Sequence, residues 1–264
     1  MALSKKDLLL KEKLEYHYSY FDFSKLSPDP LEFPHKFKAN PDIEISSFIS
    51  SLFAYGNVTQ IRNSLEKIHS LMLNQPFNFI QNYPSVNGTD IFTGLNHRFY
   101  SSRDIETLFG VLHKIYSEFG SLKSFFLEGY SSNEENLKLS ISSFSKRFLK
   151  MNPFGRYLTD GFKFMIPDPL KGSACKRMNL FLRWMVRKDG LDFGLWNEIP
   201  SSKLIIPVDT HVARICRQLR MTSRKNVSWN MASEITDILK KFDPNDPVKY
   251  DFAICHIGMR KLKF

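Results

Sequence analysis

Cysteine is scarce in this chain, and the three residues present, Cys175, Cys216 and Cys255, form no known ligand pattern. They are too far apart for a CxxC zinc motif, and their odd number builds no disulfide framework. None of them is paired with a histidine at the spacing of a zinc site. We therefore expect no metal site and a reduced, cytoplasmic protein.

Long apolar runs and cofactor loops are missing as well. No segment reaches the roughly 18 apolar residues of a membrane span, and the N-terminal segment becomes charged again at Lys11, too early for a signal-peptide core. Neither a Walker loop nor a GxGxxG loop occurs. We therefore expect no membrane partner, no nucleotide and no other cofactor.

Basic and aromatic residues, by contrast, are abundant. Lys and Arg total 37 against 27 Asp and Glu, and the resulting formal net charge of +10 favours polyanionic partners. The chain also has 24 Phe, 10 Tyr and 3 Trp residues. We expect most of these rings to build the core and a minority to line a groove where bases can stack.

Helical periodicity dominates the sequence, which predicts an all-α protein. Helices are expected at residues 5–18, 42–53, 58–73, 105–119, 122–128, 134–150, 174–188, 209–221 and 230–242. Four prolines predict an extended connector over residues 24–41. The best strand signal, at residues 203–206, is short.

Lys176 stands at the start of one predicted helix, after the residues GSAC. On a helical wheel Arg183 and Arg187 fall on the same side as Lys176, opposite the apolar residues. Periodicity alone therefore predicts a basic stripe in contact with solvent. The glycine and serine before the helix also suit the capture of a phosphate by free helix amides.

Asp209 stands in the segment PVDTHV, directly before another predicted helix. Aspartate is a favoured N-cap at such a position, worth about 1 kcal/mol relative to alanine. Its second oxygen remains able to handle a proton. If Lys176 and Asp209 meet, they form an amine nucleophile with a carboxylate partner. If they do not, the chain is an ordinary basic helical domain.

These two motifs resemble those of the helix-hairpin-helix (HhH-GPD) DNA glycosylase superfamily, which includes endonuclease III and the 8-oxoguanine DNA glycosylases. In that superfamily a hairpin, LPGVGRKTA, carries the nucleophilic lysine, and a downstream VDTH or VDVH carries an aspartate. Here LKGSACK, ending in Lys176, takes the place of the hairpin, and PVDTH contains Asp209. GSACKR, FLRWMVR, PVDTHV and DPVKYDFA together resemble one bacterial branch of the superfamily, a resemblance that implies no activity of its own.

The resemblance implies two helical subdomains with a cleft between them. The first is expected over residues 42–188, ending in the Lys176 helix, and the second over residues 1–41 plus 189–264, carrying Asp209. The four-cysteine tail of endonuclease III is absent, so no iron–sulfur cluster is expected. A long insert separates the two motifs, and Ala174 replaces the second glycine of the hairpin, which predicts a weaker tight turn.

The implied function is base-excision DNA repair by a DNA glycosylase with AP lyase activity. A damaged nucleotide in duplex DNA would be flipped out, and Lys176 would attack its C1′. Asp209 would accept the proton of the lysine or stabilise the positive sugar. Four residues are expected to hold backbone phosphates, namely Lys171, Gly172, Ser173 and Arg177.

The substrate pocket has five candidate residues. An early polar turn contributes Tyr55, Asn57 and Gln60, while the insert contributes Phe193 and Trp196, which either stack on a base or form an apolar plug. The alternative functions are a non-catalytic nucleic-acid-binding protein and a helical interaction protein on the same scaffold. We expect a monomer that binds duplex DNA with a damaged or abasic site and is associated with the nucleoid.

Overall fold

The protein is built mainly from α-helices. The computed structural model describes residues 3–83, 90–155 and 157–259, and across these ranges it contains twelve α-helices, short 3₁₀ segments and two isolated β-bridges, but no strand. The predicted all-α class is confirmed. The short strand signal at residues 203–206 does not give a strand: Ser201–Lys203 is a 3₁₀ turn, and the amide of Ile206 donates to the Thr236 hydroxyl.

The helices follow one another with few long connections. In chain order they are α1 Lys5–Tyr20, α2 Asn40–Phe53, α3 Val58–Leu71, α4 Pro76–Gln81, α5 Ser102–Phe119, α6 Leu122–Leu127, α7 Lys138–Lys150, α8 Asp160–Met165, α9 Lys176–Val186, α10 Thr210–Gln218, α11 Trp229–Phe242 and α12 Asp251–Met259. The proline-rich connector differs from its predicted extended form. It contains three 3₁₀ turns, at Phe23–Lys25, Pro30–Glu32 and Pro34–Lys36.

The chain divides into two compact units. Unit 1 consists of Met1–Leu26, Ser132–Lys138 and Pro169–Phe264, and unit 2 consists of Ser27–Ser131 and Leu139–Asp168. This division differs from the boundary expected at residue 188. Helix α9, with Lys176, belongs to the same unit as α10 and Asp209, because carboxylates from the following segments of unit 1 bind the polar side of α9.

Unit 2 contains most of α2 to α8, packed around phenylalanine side chains. Helix α2 contacts α3 and α4, and α5 contacts α4, α6 and α8. Phe48, Phe144 and Phe148 form a cluster with ring centroids 5.5 to 6.1 Å apart. Full burial of one such side chain contributes about 1.5–3 kcal/mol. Phenylalanine therefore supplies much of this core, as the composition predicted.

Unit 1 contains α1 and α9 to α12. Helix α12 contacts α1 and α10, and α9 turns the apolar side chains Met178, Phe181 and Met185 into the core. Their spacing of three to four residues is that of one helix face. The core of unit 1 thereby fixes the direction of α9 and the position of its first residue, Lys176.

Candidate active site

Lys176 and Asp209 meet in unit 1. Lys176 is the first residue of α9, and Asp209 is the N-cap of α10. The lysine Nζ lies 3.4 Å from Asp209 Oδ2, and the two side chains keep 24% and 28% of their surface accessible. The contact on which the catalytic hypothesis depends is present, and a reactant can reach it from solvent.

The two carboxylate oxygens of Asp209 have different partners. Oδ1 accepts hydrogen bonds from the amides of His211 and Val212, at 2.8 and 2.9 Å, as expected for an N-cap. Oδ2 faces Lys176. Because the cap fixes the side chain, the second oxygen is held towards the amine without further support. The capping and catalytic roles are geometrically compatible.

Electrostatics keep Asp209 ionised. Burial alone raises the pKa of this carboxyl, but the charge of Lys176 and the amides of Val212 and His211 outweigh burial and hold the pKa below its ordinary value of 3.8. The positive end of the α10 dipole acts in the same direction. Asp209 is therefore a carboxylate at neutral pH, suited to stabilising a nearby cation.

The loop before α9 has two residues in the left-handed region. They are Gly172, with φ of +88°, and Cys175, with φ of +47°. Ala174 does not have a positive φ, so its backbone does not demand glycine, and the weaker turn predicted from Ala174 is wrong. Two hydrogen bonds hold the loop: the Trp229 amide donates to Gly172 O at 3.1 Å, and Asn179 Nδ2 donates to Ala174 O at 3.0 Å.

The residues expected to hold phosphates differ in accessibility. Lys171 and Gly172 are exposed, and Ser173 is half-buried with its hydroxyl accepting a hydrogen bond from the Cys175 amide at 3.2 Å. Arg177 is buried. Burial leaves Arg177 little surface for a phosphate, whereas Lys171, Gly172 and Ser173 remain accessible. The phosphate contacts of all four residues stay predictions.

The insert between the two motifs packs onto α9. Trp196 is fully buried, with its ring 5.1 Å from that of Phe181 and its amide bonded to Met185 O at 2.8 Å. Stacking of a base on Trp196 is thus wrong, because the ring has no accessible surface. Phe193 is half-buried, and its amide donates to Trp184 O at 2.9 Å. Trp196 acts as an apolar plug within unit 1.

Arg183 and Arg187 do not form a solvated stripe with Lys176. Both guanidinium groups are buried, and four carboxylates surround them, those of Asp189, Asp192, Asp246 and Asp251. Asp192 lies between the two arginines and bonds to both. The solvated stripe is wrong because carboxylates cover the polar side of α9, two from the segment that directly follows the helix and two from residues 246 and 251.

Asp251 is a further residue of this network. Its carboxylate pairs with Arg183, and burial raises its pKa to about 6 although the charges of Arg183 and Lys176 act to lower it. The segment KYDFA, a carboxylate at the start of an apolar helix, is the sequence signal for such a buried ion.

The three pocket candidates from the early polar turn lie in unit 2. The hydroxyl of Tyr55 donates to His97 O at 3.0 Å and accepts from the Phe99 amide at 3.2 Å. Asn57 is the N-cap of α3. Asn57 and Gln60 line an open polar groove of about 390 Å³. The structure thus groups Tyr55, Asn57 and Gln60 in unit 2, and Lys176 and Asp209 in unit 1.

A comparison with protein families gives one match. The model of a family described as "Protein of unknown function (DUF2400)" matches residues 29–260. The chain belongs to the DUF2400 family. No curated protein and no solved structure matches the chain. The matched span contains both Lys176 and Asp209.

Two further observations on this DUF2400 protein concern metal ligands and membrane spans. Within the part of the chain that the structure describes, no three His, Cys, Asp or Glu residues are grouped so as to hold a metal ion. In the same part, every helix is too short or too polar to cross a membrane. At the candidate site the structure brings together an amine, on Lys176, and a carboxylate, on Asp209.

Proposed function

We propose that this protein is a DNA glycosylase with AP lyase activity, in which Lys176 is the nucleophile and Asp209 is its carboxylate partner. The observation that carries the proposal is the contact of 3.4 Å between Lys176 Nζ and Asp209 Oδ2, both partly accessible. The resemblance of both motifs to the HhH-GPD glycosylases and the net charge of +10 support a DNA substrate.

The position of Lys176 supports a chemical rather than a stabilising role. A lysine in the first turn of a helix stands at the positive end of the helix dipole, which costs about 0.3–1 kcal/mol. Asp209 offsets that cost, yet an accessible ion pair of this kind contributes only about 0–1 kcal/mol. An amine held against an anchored carboxylate at an open surface is better suited to nucleophilic attack.

The reaction begins when Lys176 loses a proton to solvent and its neutral amine attacks C1′ of the damaged nucleotide. The bond from C1′ to the base breaks, and the base leaves with the electron pair and is protonated. The nitrogen of Lys176 then gives up one proton and forms a second bond to C1′ while the bond from C1′ to the ring oxygen O4′ breaks. O4′ takes up a proton, which opens the sugar and leaves a Schiff base between Lys176 and C1′. Loss of a proton from C2′ breaks the bond between C3′ and its phosphate oxygen, which cleaves the strand, and water finally releases Lys176.

Asp209 stabilises positive charge in this scheme. Of its two expected roles, proton acceptor and electrostatic partner, the lowered pKa favours the second. A carboxylate with a low pKa returns a proton readily but remains negative beside a developing sugar cation. The exposed Lys171 and Gly172 lie in the loop that leads to Lys176 and are suited to binding backbone phosphates.

The test is trapping with borohydride on duplex DNA that contains one abasic site. Borohydride reduces the Schiff base to a stable amine, so wild-type protein is expected to form a covalent adduct and Lys176→Ala none. Lys171→Ala is the matched control, because it removes a neighbouring exposed lysine and should weaken binding while still forming the adduct. Equal adduct formation by wild type and Lys176→Ala overturns the role of Lys176. DNA binding without any adduct favours the non-catalytic alternative.

A further inference from the structure

A tight turn in unit 2 presents an arginine and a phenylalanine to solvent. His97 and Tyr100 exchange two backbone hydrogen bonds of 2.9 and 2.8 Å, so Arg98 and Phe99 form a two-residue tip. Both tip residues are exposed, and Phe99 keeps 64% of its surface accessible. A large ring exposed at the tip of a turn contributes little to the core, and its exposure favours a role in binding.

Phe99 belongs to an exposed group of rings. Its ring is parallel to that of Tyr55 within 16°, with centroids 6.4 Å apart, and it meets the exposed Phe164 edge to face at 5.5 Å. The Arg98 guanidinium lies 5.5 Å from the Tyr55 centroid and 5.8 Å from that of Phe99. A flat cation and flat rings thus share one small surface.

Several contacts make this surface rigid. The Tyr55 hydroxyl joins both sides of the turn, because it donates to His97 O and accepts from the Phe99 amide. Arg98 has a φ of +53°, and its side chain packs against Gly56, where a Cβ would lie 2.6 Å from Arg98 Cδ. Gly56 itself has a φ of +102°, a left-handed conformation that favours glycine. A surface ordered before binding loses less entropy when a ligand arrives.

We propose that Arg98, Phe99 and Phe164 form a stacking platform for one unpaired nucleobase. Aromatic rings beside an arginine are the arrangement that binds unstacked bases, because every base has a π-face and the guanidinium attracts both the base and its phosphate. The proposal rests on the proposed function for the choice of nucleic acid as the partner.

The polar groove next to these rings favours a nucleobase over an apolar peptide as the ligand. Asn57 follows Gly56, which contacts Arg98, and Asn96 precedes the turn by one residue; both asparagines line the polar groove. The Asn57 oxygen caps α3, so Asn57 offers its amide donors, while the Asn96 side chain offers both a donor and an acceptor to the edge of a base. An apolar peptide would leave these amides and the Arg98 charge without matching groups.

Tryptophan fluorescence tests the platform directly. The three native tryptophans, Trp184, Trp196 and Trp229, are buried, so Phe99→Trp introduces an exposed indole at the tip. Its emission is expected to be quenched when a single-stranded oligodeoxynucleotide binds, because the base stacks on the indole. Phe23→Trp is the matched control, since Phe23 is 54% exposed in unit 1, and its emission should not change.

Affinity gives a second measurement. Phe99→Ala is expected to bind the same oligonucleotide about 5- to 100-fold more weakly by fluorescence anisotropy, the loss that corresponds to one stacked base. Phe23→Ala should bind like wild type. Thermal unfolding of each variant confirms that the exposed substitution leaves the fold intact.

The outcomes separate this inference from the proposed function. Unchanged Phe99→Trp emission with bound oligonucleotide overturns the platform and leaves the Lys176 chemistry standing, with a protein partner as the remaining occupant of the rings. Quenching without a borohydride adduct at Lys176 supports the platform and overturns the proposed function. Failure of wild-type protein to bind any oligonucleotide overturns both.

Discussion

Helix α9 uses its basic side chains in two different ways. At its start, Lys176 contacts Asp209 and keeps about a quarter of its surface accessible. About two and three turns later, Arg183 and Arg187 are buried among four carboxylates. Periodicity places all three residues on one side of the helix, so the difference comes from what the rest of unit 1 brings to each position.

The buried arginines and the accessible Lys176–Asp209 pair also differ in what they contribute to stability. Burial of a charge is tolerated only when partners replace its water, and removing one partner of a buried pair costs about 3–5 kcal/mol. An accessible pair contributes about 0–1 kcal/mol. The arginine network therefore fixes structure, whereas the Lys176–Asp209 pair is available for chemistry without large loss of stability. The three predictions below separate these two roles.

The largest effect on stability is expected for Arg183→Met. This change removes the arginine that pairs with Asp251 and one of the two arginines that pair with Asp192. The free energy of unfolding should therefore fall by about 3–5 kcal/mol in urea denaturation. Arg224→Met is the matched control, because Arg224 pairs with Glu234 at the surface. It should cost less than about 1 kcal/mol. Similar losses for the two variants would contradict the structural role of the network.

An intermediate effect is expected at Asp209. Asp209→Ala removes the cap of α10 and should lower the free energy of unfolding by about 0.5–2 kcal/mol, whereas Asp209→Asn keeps a capping oxygen and should stay within a few tenths of wild type. Both variants lose the negative charge, so both should form the borohydride adduct more slowly. Wild-type rates in Asp209→Asn would show that the charge of Asp209 has no part in the reaction.

The smallest effect on stability, and a clear effect on titration, is expected for Lys176→Met. Burial raises the pKa of Asp209 and the charge of Lys176 lowers it, so the pKa should rise when the lysine is removed. Carbon-13 NMR of the carboxyl group measures this change. Because the folded pKa of Asp209 is depressed, its stabilising contribution is present above the unfolded pKa and is lost as pH falls through the folded pKa. In Lys176→Met the folded pKa lies closer to the unfolded pKa, so the loss should be smaller and should be complete at a higher pH. An unchanged pKa would contradict the coupling of the pair.

Local sequence signals predicted much of the helical framework. The helices expected at residues 5–18, 42–53 and 105–119 correspond to α1, α2 and α5, since apolar periodicity and caps such as Ser101 are encoded locally. The N-cap role of Asp209 also followed from its position before a helix. Helices α4 and α8, of six residues each, were not predicted, because so short a segment carries little periodicity. Helix α6 has the same length but was expected at residues 122–128.

What the sequence could not supply was the environment of each side chain. A helical wheel gives the direction of Arg183 but not the presence of Asp192 and Asp251, which reach it from segments 9 and 68 residues away. Trp196 likewise looked equally suited to a base or to the core. Its burial depends on packing against α9, so only the folded structure shows that Trp196 belongs to the core and does not stack on a base.

The most direct test of the central claim is to locate the covalent adduct. Wild-type protein is treated with borohydride on DNA carrying one abasic site, then digested, and the modified peptide is sequenced by mass spectrometry. The account predicts that the reduced sugar is attached to Nζ of Lys176. Attachment to another lysine, or no attachment under conditions where the DNA is bound, would contradict it.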